Sequence, residues 1–97
     1  MERASGIDVI CKRSSVGWIC EVTVRNSHET HHRVHVTRAD LPRLAPGAPD
    51  PEELVRATFA FLLEREPNGS ILREFDLSVI KQYFPEYERE IGHRLTG

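Results

Sequence analysis

Between residues 7 and 38 apolar and polar side chains alternate with a period of two, the spacing that puts one face of a strand in a core and the other in water. Ile7, Val9 and Cys11 share one side of a first strand, Trp18, Cys20, Val22 and Val24 one side of a second, and Val34 and Val36 one side of a third. Asp8, Lys12, Glu21, Thr23, Arg25, Arg33, His35 and Thr37 fall on the other side. One-sided alternation is typical of antiparallel sheets, and the connections at Ser14–Gly17 and about Ser27–His31 are hairpin-sized. The pattern predicts a three-stranded antiparallel β-meander over residues 5–38. A four-residue first loop pairs Arg13 with Trp18 and sets Cys11 opposite Cys20 on the inward face.

Pro42, Pro46 and Pro49, with Gly47, interrupt the pattern, because proline removes a backbone donor and biases its predecessor toward extended backbone. Residues 39–50 are therefore expected to be a Pro-rich linker. Asp50, Pro51 and Glu53 then supply a cap acceptor, a first-turn proline and the third-position acid of a capping box, so a helix is predicted from Pro51 to about Glu66, ended by Pro67-Asn68-Gly69. Leu54, Val55, Thr58, Phe59, Phe61, Leu62 and Leu63 cover about half of its circumference. That width asks for two packing partners: the sheet, and either the C-terminal helices or the same helix of a second subunit. Ser70 caps a short turn through Phe75, Asp76 caps a helix Leu77–Phe84, and Pro85 opens a last helix that ends near Ile91. The expected fold is α+β, a single domain over 1–97: a three-stranded antiparallel β-meander followed by a long amphipathic helix and two shorter helices, with residues 51–91 as the helical part.

Composition narrows the function classes. A chain of 97 residues can bury roughly 60–65% of its unfolded surface. No apolar run approaches the roughly 20 residues of a membrane span, and Met1-Glu-Arg-Ala-Ser-Gly6 has no apolar leader, which together predict a cytoplasmic protein with no membrane role. Charge is uneven. Residues 1–45 carry seven Lys/Arg against five Asp/Glu and residues 46–97 six against ten, leaving +2 and −4. Nucleic acid is disfavoured as a partner, since phosphate binding draws on a clustered basic face.

Candidate chemistry is sparse. His28, His31, His32 and His35 bring metal ligands to mind, yet on a strand rising about 3.3 Å per residue His31 and His35 stand roughly 13 Å apart, and His32 points to the opposite face. They read as solvated hairpin histidines that titrate near pH 6.5 rather than chelate. Cys11 and Cys20 are placed for a disulfide, but in a reducing cytosol they read as inert core thiols, with no CxxC spacing and no basic neighbour on their face. Residues 70–84 have the rhythm of a helix-turn-helix; only Lys81 and Gln82 could read a groove, and Glu86, Glu88 and Glu90 follow and would repel phosphate. The serines sit in turns or caps and the carboxylates in caps or exposed helix faces, so no catalytic residues, no cofactor and no metal are expected, and the chain reads as not an enzyme.

Pro51-Glu-Glu-Leu-Val-Arg-Ala-Thr-Phe-Ala-Phe-Leu-Leu-Glu-Arg-Glu-Pro67, with Ser70-Ile-Leu-Arg-Glu-Phe-Asp-Leu-Ser-Val-Ile80 and Tyr83-Phe-Pro-Glu-Tyr87, resembles a group of small uncharacterised bacterial proteins. The resemblance implies a bacterial source and carries no activity with it. The function expected is a non-enzymatic protein-binding or assembly module, a homodimer or a binder of another protein. Its interaction surface would draw on Phe59, Phe61 and Leu63 of the helix and Arg25, Arg33 and His35 of the polar sheet face, or on an exposed strand edge. Two alternatives are a small nucleic-acid-associated regulator using the basic sheet face and a histidine-based metal or pH sensor.

Overall fold

The computed structural model describes residues 6–26, 28–47 and 50–96. Met1–Ser5, Ser27 and Pro49, read above as a leader-free start, part of the second hairpin and part of the linker, lie outside the described residues. Strands β1 (Ile7–Arg13), β2 (Gly17–Arg25) and β3 (Glu29–Thr37) pair antiparallel, and Arg13 faces Trp18 and Cys11 faces Cys20 as the alternation predicts. The sheet does not stop there. A fourth strand, β4 (Glu74–Asp76), runs parallel to β3 with Val34 opposite Phe75, so the sheet is mixed and four-stranded in the order β1-β2-β3-β4. Parallel neighbours need a long crossover, and the helices and loops between Thr37 and Glu74 supply it.

The Pro-rich stretch is not featureless: it holds a short helix, α1 (Asp40–Leu44). Pro42 is tolerated because it falls in the first turn, where N–H groups have no intrahelical partner. Thr37 and Asp40 lock its start reciprocally. The Asp40 N–H donates to Thr37 Oγ1 at 3.2 Å, and the Thr37 N–H donates to the Asp40 carboxylate at 3.0 Å.

Helix α2 (Pro51–Leu63) begins as predicted, with the Asp50 side chain accepting from the Glu53 N–H at 2.9 Å. It has 13 residues and turns off before Glu66, shorter than the long helix expected. Its wide apolar stripe is filled from within the chain. Phe59 packs 5.2 Å from the His32 ring and 6.2 Å from Phe75 on the sheet side, while Phe61 stands edge-on to Phe84 at 5.9 Å and to Tyr87 at 5.3 Å. Between these layers Thr58 donates to the Leu54 carbonyl, so its oxygen accepts the buried Tyr87 hydroxyl at 2.8 Å.

The segment after β4 also departs from expectation. A 3-10 turn (Leu77–Val79) and the four-residue α3 (Ile80–Tyr83) replace the predicted Leu77–Phe84 helix, and α4 spans Tyr87–Thr96. Leu77, Ile80, Tyr87 and Ile91 point their apolar surface into the same core as Val22, Val34 and Leu54.

Candidate functional site

The helices reach the sheet from one side, leaving the other face in water. Sequence alternation places Arg25, Arg33 and His35 there, and the structure does gather them. Each is already engaged: Arg25 with Asp8 and Glu29, Arg33 with Glu21 at 2.8 Å, His35 with Glu74 at 2.7 Å. His31 joins the same lattice through Glu29 at 2.9 Å. Because β4 adds Glu74 and Asp76, this face sets Lys12, Arg25 and Arg33 against Asp8, Glu21, Glu29, Glu74 and Asp76. The surface expected to be basic is thus net acidic. Hydrogen bonds to Asp8 and Glu21 hold the Arg25 and Arg33 guanidiniums further toward the charged form, and the bond from His35 holds the Glu74 carboxyl below its usual range. A phosphate would have to displace these carboxylates, which removes the support for a nucleic-acid surface. Exposed pairs of this kind add little stability but neutralise one another locally.

The histidines do not behave as one group. His31 and His35 lie on the open face, whereas His32 points inward and is only 3% exposed, so the solvated reading fails for it. Parity with Val34 dictates this direction, and a polar chain of hydrogen bonds makes it tolerable. Leu72 offers a carbonyl 2.8 Å from His32 Nδ1, so Nδ1 carries a proton and donates. Asn68 Nδ2 donates to Thr30 Oγ1 at 3.1 Å and to the His28 carbonyl at 2.9 Å. With its oxygen occupied in this way, the Thr30 hydroxyl donates to the neutral His32 Nε2 at 2.9 Å. Burial lowers the His32 pKa; the Leu72 carbonyl opposes this, and the charges of Arg73 and His31 add to it. No group of three or more His, Cys, Asp and Glu side chains among the described residues is arranged to hold a metal ion.

Cys11 and Cys20 are joined in a disulfide, which corrects the reading of two inert thiols. The physical reason lies in the ladder. The Cys11 N–H points away from β2 and donates to the Glu52 carboxylate at 3.1 Å, so Cys11 and Cys20 form a pair without mutual backbone bonds, the kind whose side chains approach most closely. Disulfides persist in oxidising surroundings and are opened by cytosolic reductants, so whether this bond stays closed follows the redox poise around the protein. The same Glu52 contact covers part of the outer edge of β1, leaving less of it open than a free strand edge would offer.

Phe59 and Phe61 are fully buried and Leu63 is partly covered, so the two phenylalanines offer no surface to a partner. The apolar surface that remains lies elsewhere. A groove of roughly 170 Å³ opens between the end of α2, the approach to β4 and α3. Buried Leu62, Ile71, Phe75 and Ile80 form its floor; Leu72, 50% exposed, and Tyr83, 65% exposed, stand at its rim. Glu66 is the one charged residue in the lining, and it forms no ion pair among the described residues. Sequence reasoning misses this place because Leu72 falls in the turn expected after Ser70 and Tyr83 in the helix expected over Leu77–Phe84. Leu72, separated by Arg73 from the alternating Glu74-Phe75-Asp76 triplet, is the available signal.

Among the described residues no helix is long and apolar enough to cross a membrane. Comparison with protein-family models, with curated proteins and with solved structures gave no match, so the groove and the sheet face stand on their own chemistry.

Proposed function

We propose that the chain is a non-enzymatic protein-binding module whose contact surface is the groove between α2, β4 and α3. The observation that carries this reading is the pairing of a preformed apolar floor with two large exposed side chains, Leu72 and Tyr83, on its rim. Apolar concavities edged by exposed aromatic and aliphatic groups are where partner side chains gain most from leaving water. Glu66, Ser70 and Tyr83 bring the polar groups of an otherwise apolar lining, and no hydrogen bond joins the Glu66 carboxylate to the Ser70 hydroxyl among the described residues, which supports binding over catalysis.

Replacing Tyr83 with the photocrosslinking analogue benzoylphenylalanine tests the reading in cells that make the protein. A discrete protein adduct at position 83, lost when Leu72→Asp is added and absent from an analogue placed at exposed Arg89 on α4, is the expected result. Equal adducts at 83 and 89, or none at 83, would remove the groove as the contact surface.

A further inference from the structure

The chain carries a second surface whose shape and charge are opposite to those of the groove. At the β1–β2 hairpin Val16 stands 65% exposed, although a turn position of this kind accepts polar residues readily. Lys12 and Arg13 precede it, neither paired with a carboxylate among the described residues. Arg38 closes the tip from β3's end, donating from its backbone to the Val16 carbonyl at 3.0 Å and from its guanidinium to the Ser15 carbonyl at 3.1 Å.

The hairpin is also stiff. The Ser14 N–H donates to the Gly17 carbonyl at 2.9 Å, and the Gly17 N–H returns to Ser14 Oγ at 3.1 Å. Gly17 lies so close to β3 that a Cβ there would meet the Val36 carbonyl oxygen at 2.0 Å. A rigid apolar knob between cations costs little ordering when it docks. The groove presents the complement: an apolar hollow large enough for a valine side chain, with the Glu66 carboxylate, in no ion pair among the described residues, in its wall.

Sheet order keeps the two apart within one chain. The hairpin joins β1 and β2, whereas the groove lies beyond β4 on the opposite flank. We infer that the chain associates head to tail with copies of itself, the Val16 knob of one seated in the Glu66 groove of the next, with Arg13, on the strand face opposite to Lys12, turned toward that carboxylate. This rests on the groove being a protein-binding surface and names its occupant. Because the two patches differ, the contact is heterologous: it propagates into rings or open chains rather than stopping at a two-fold dimer. A single knob in a single groove belongs with weak, transient contacts rather than obligate interfaces.

Sedimentation of the purified full chain from about 10 μM to 1 mM reads this directly. The expected weight-average mass climbs with concentration from 11.1 kDa past that of two chains, and climbs less in high salt. Val16→Asp and Leu72→Asp change exposed side chains, so both are expected to fold, which circular dichroism checks. Each alone is expected to stay monomeric, while an equimolar mixture forms pairs and nothing larger, since it holds one working knob and one working groove. Glu66→Lys weakens association at least tenfold, and combining it with Arg13→Glu recovers part of the loss. A wild-type chain that remains at 11.1 kDa throughout, or a Val16→Asp variant that assembles as well as wild type, overturns the inference. If that happens while position 83 still crosslinks to a different protein, the groove stands and only its occupant is wrong.

Discussion

Acidification should loosen this protein through one residue, His32. In the folded chain the ring is neutral, accepts from Thr30 and is shielded from water; in the unfolded chain it titrates near pH 6.5. Burial lowers the folded pKa, so below pH 6.5 the unfolded state binds the extra proton and stability falls as the pH falls, with no contribution from this group above that pH. The slope is bounded by one proton, about 1.4 kcal/mol per pH unit. If the folded ring resists protonation throughout, the loss reaches about 1.4 kcal/mol at pH 5.5 and about 2 kcal/mol at pH 5.0. The carboxyls of Glu64, Glu74 and Glu86, held below the usual range chiefly by hydrogen bonds, act in the same direction only at lower pH. The assay is urea unfolding between pH 5.0 and 7.5 for wild type and His32→Gln. The variant is expected to be less stable at pH 7.5 yet flatter with pH, so the two curves converge on acidification. Parallel curves over this range would refute the buried neutral ring.

Gly17→Ala drives a methyl group against the Val36 carbonyl and is expected to cost at least about 2 kcal/mol, roughly 10 °C in melting temperature; an unchanged melting curve would mean the hairpin is not pressed onto β3. Asn68→Ala removes the donors to His28 and Thr30 and should cost about 2–3 kcal/mol by urea denaturation, while Asn68→Asp should be worse because it also buries a carboxylate against the His28 carbonyl oxygen. Reducing the Cys11–Cys20 bond, which spans a sequence separation of 9, is expected to lower stability by about 2–3 kcal/mol, with thiol alkylation and mass analysis confirming that both sulfurs are freed.

What the chain reveals before folding is mostly local. Period-two alternation fixes the β1–β2 register down to Cys11 opposite Cys20, and Asp50 before Pro51 marks the start of α2, because both signals act within a few residues. The Thr37 and Asp40 pair was an equally local signal for α1, outweighed by the prolines around it. β4 was not legible, since three residues carry one alternation and their partner lies some forty positions away. That omission propagates. Without β4 the open face lacks Glu74 and Asp76 and reads as basic, and the groove that depends on Phe75 and Leu72 does not exist. His32 shows a subtler limit: parity pointed it inward, but only Asn68 and Leu72, brought by the chain's return, provide the partners that let an imidazole stay there.

Glu52 has a bearing on how this protein behaves when crowded. Its carboxylate occupies the Cys11 amide hydrogen, at a position where the carbonyl of an incoming strand would dock, and its negative charge repels that carbonyl. Fibril growth by backbone templating is therefore discouraged along the flank where the sheet is longest. Concentrated solutions should thicken through reversible side-chain contacts while staying free of amyloid.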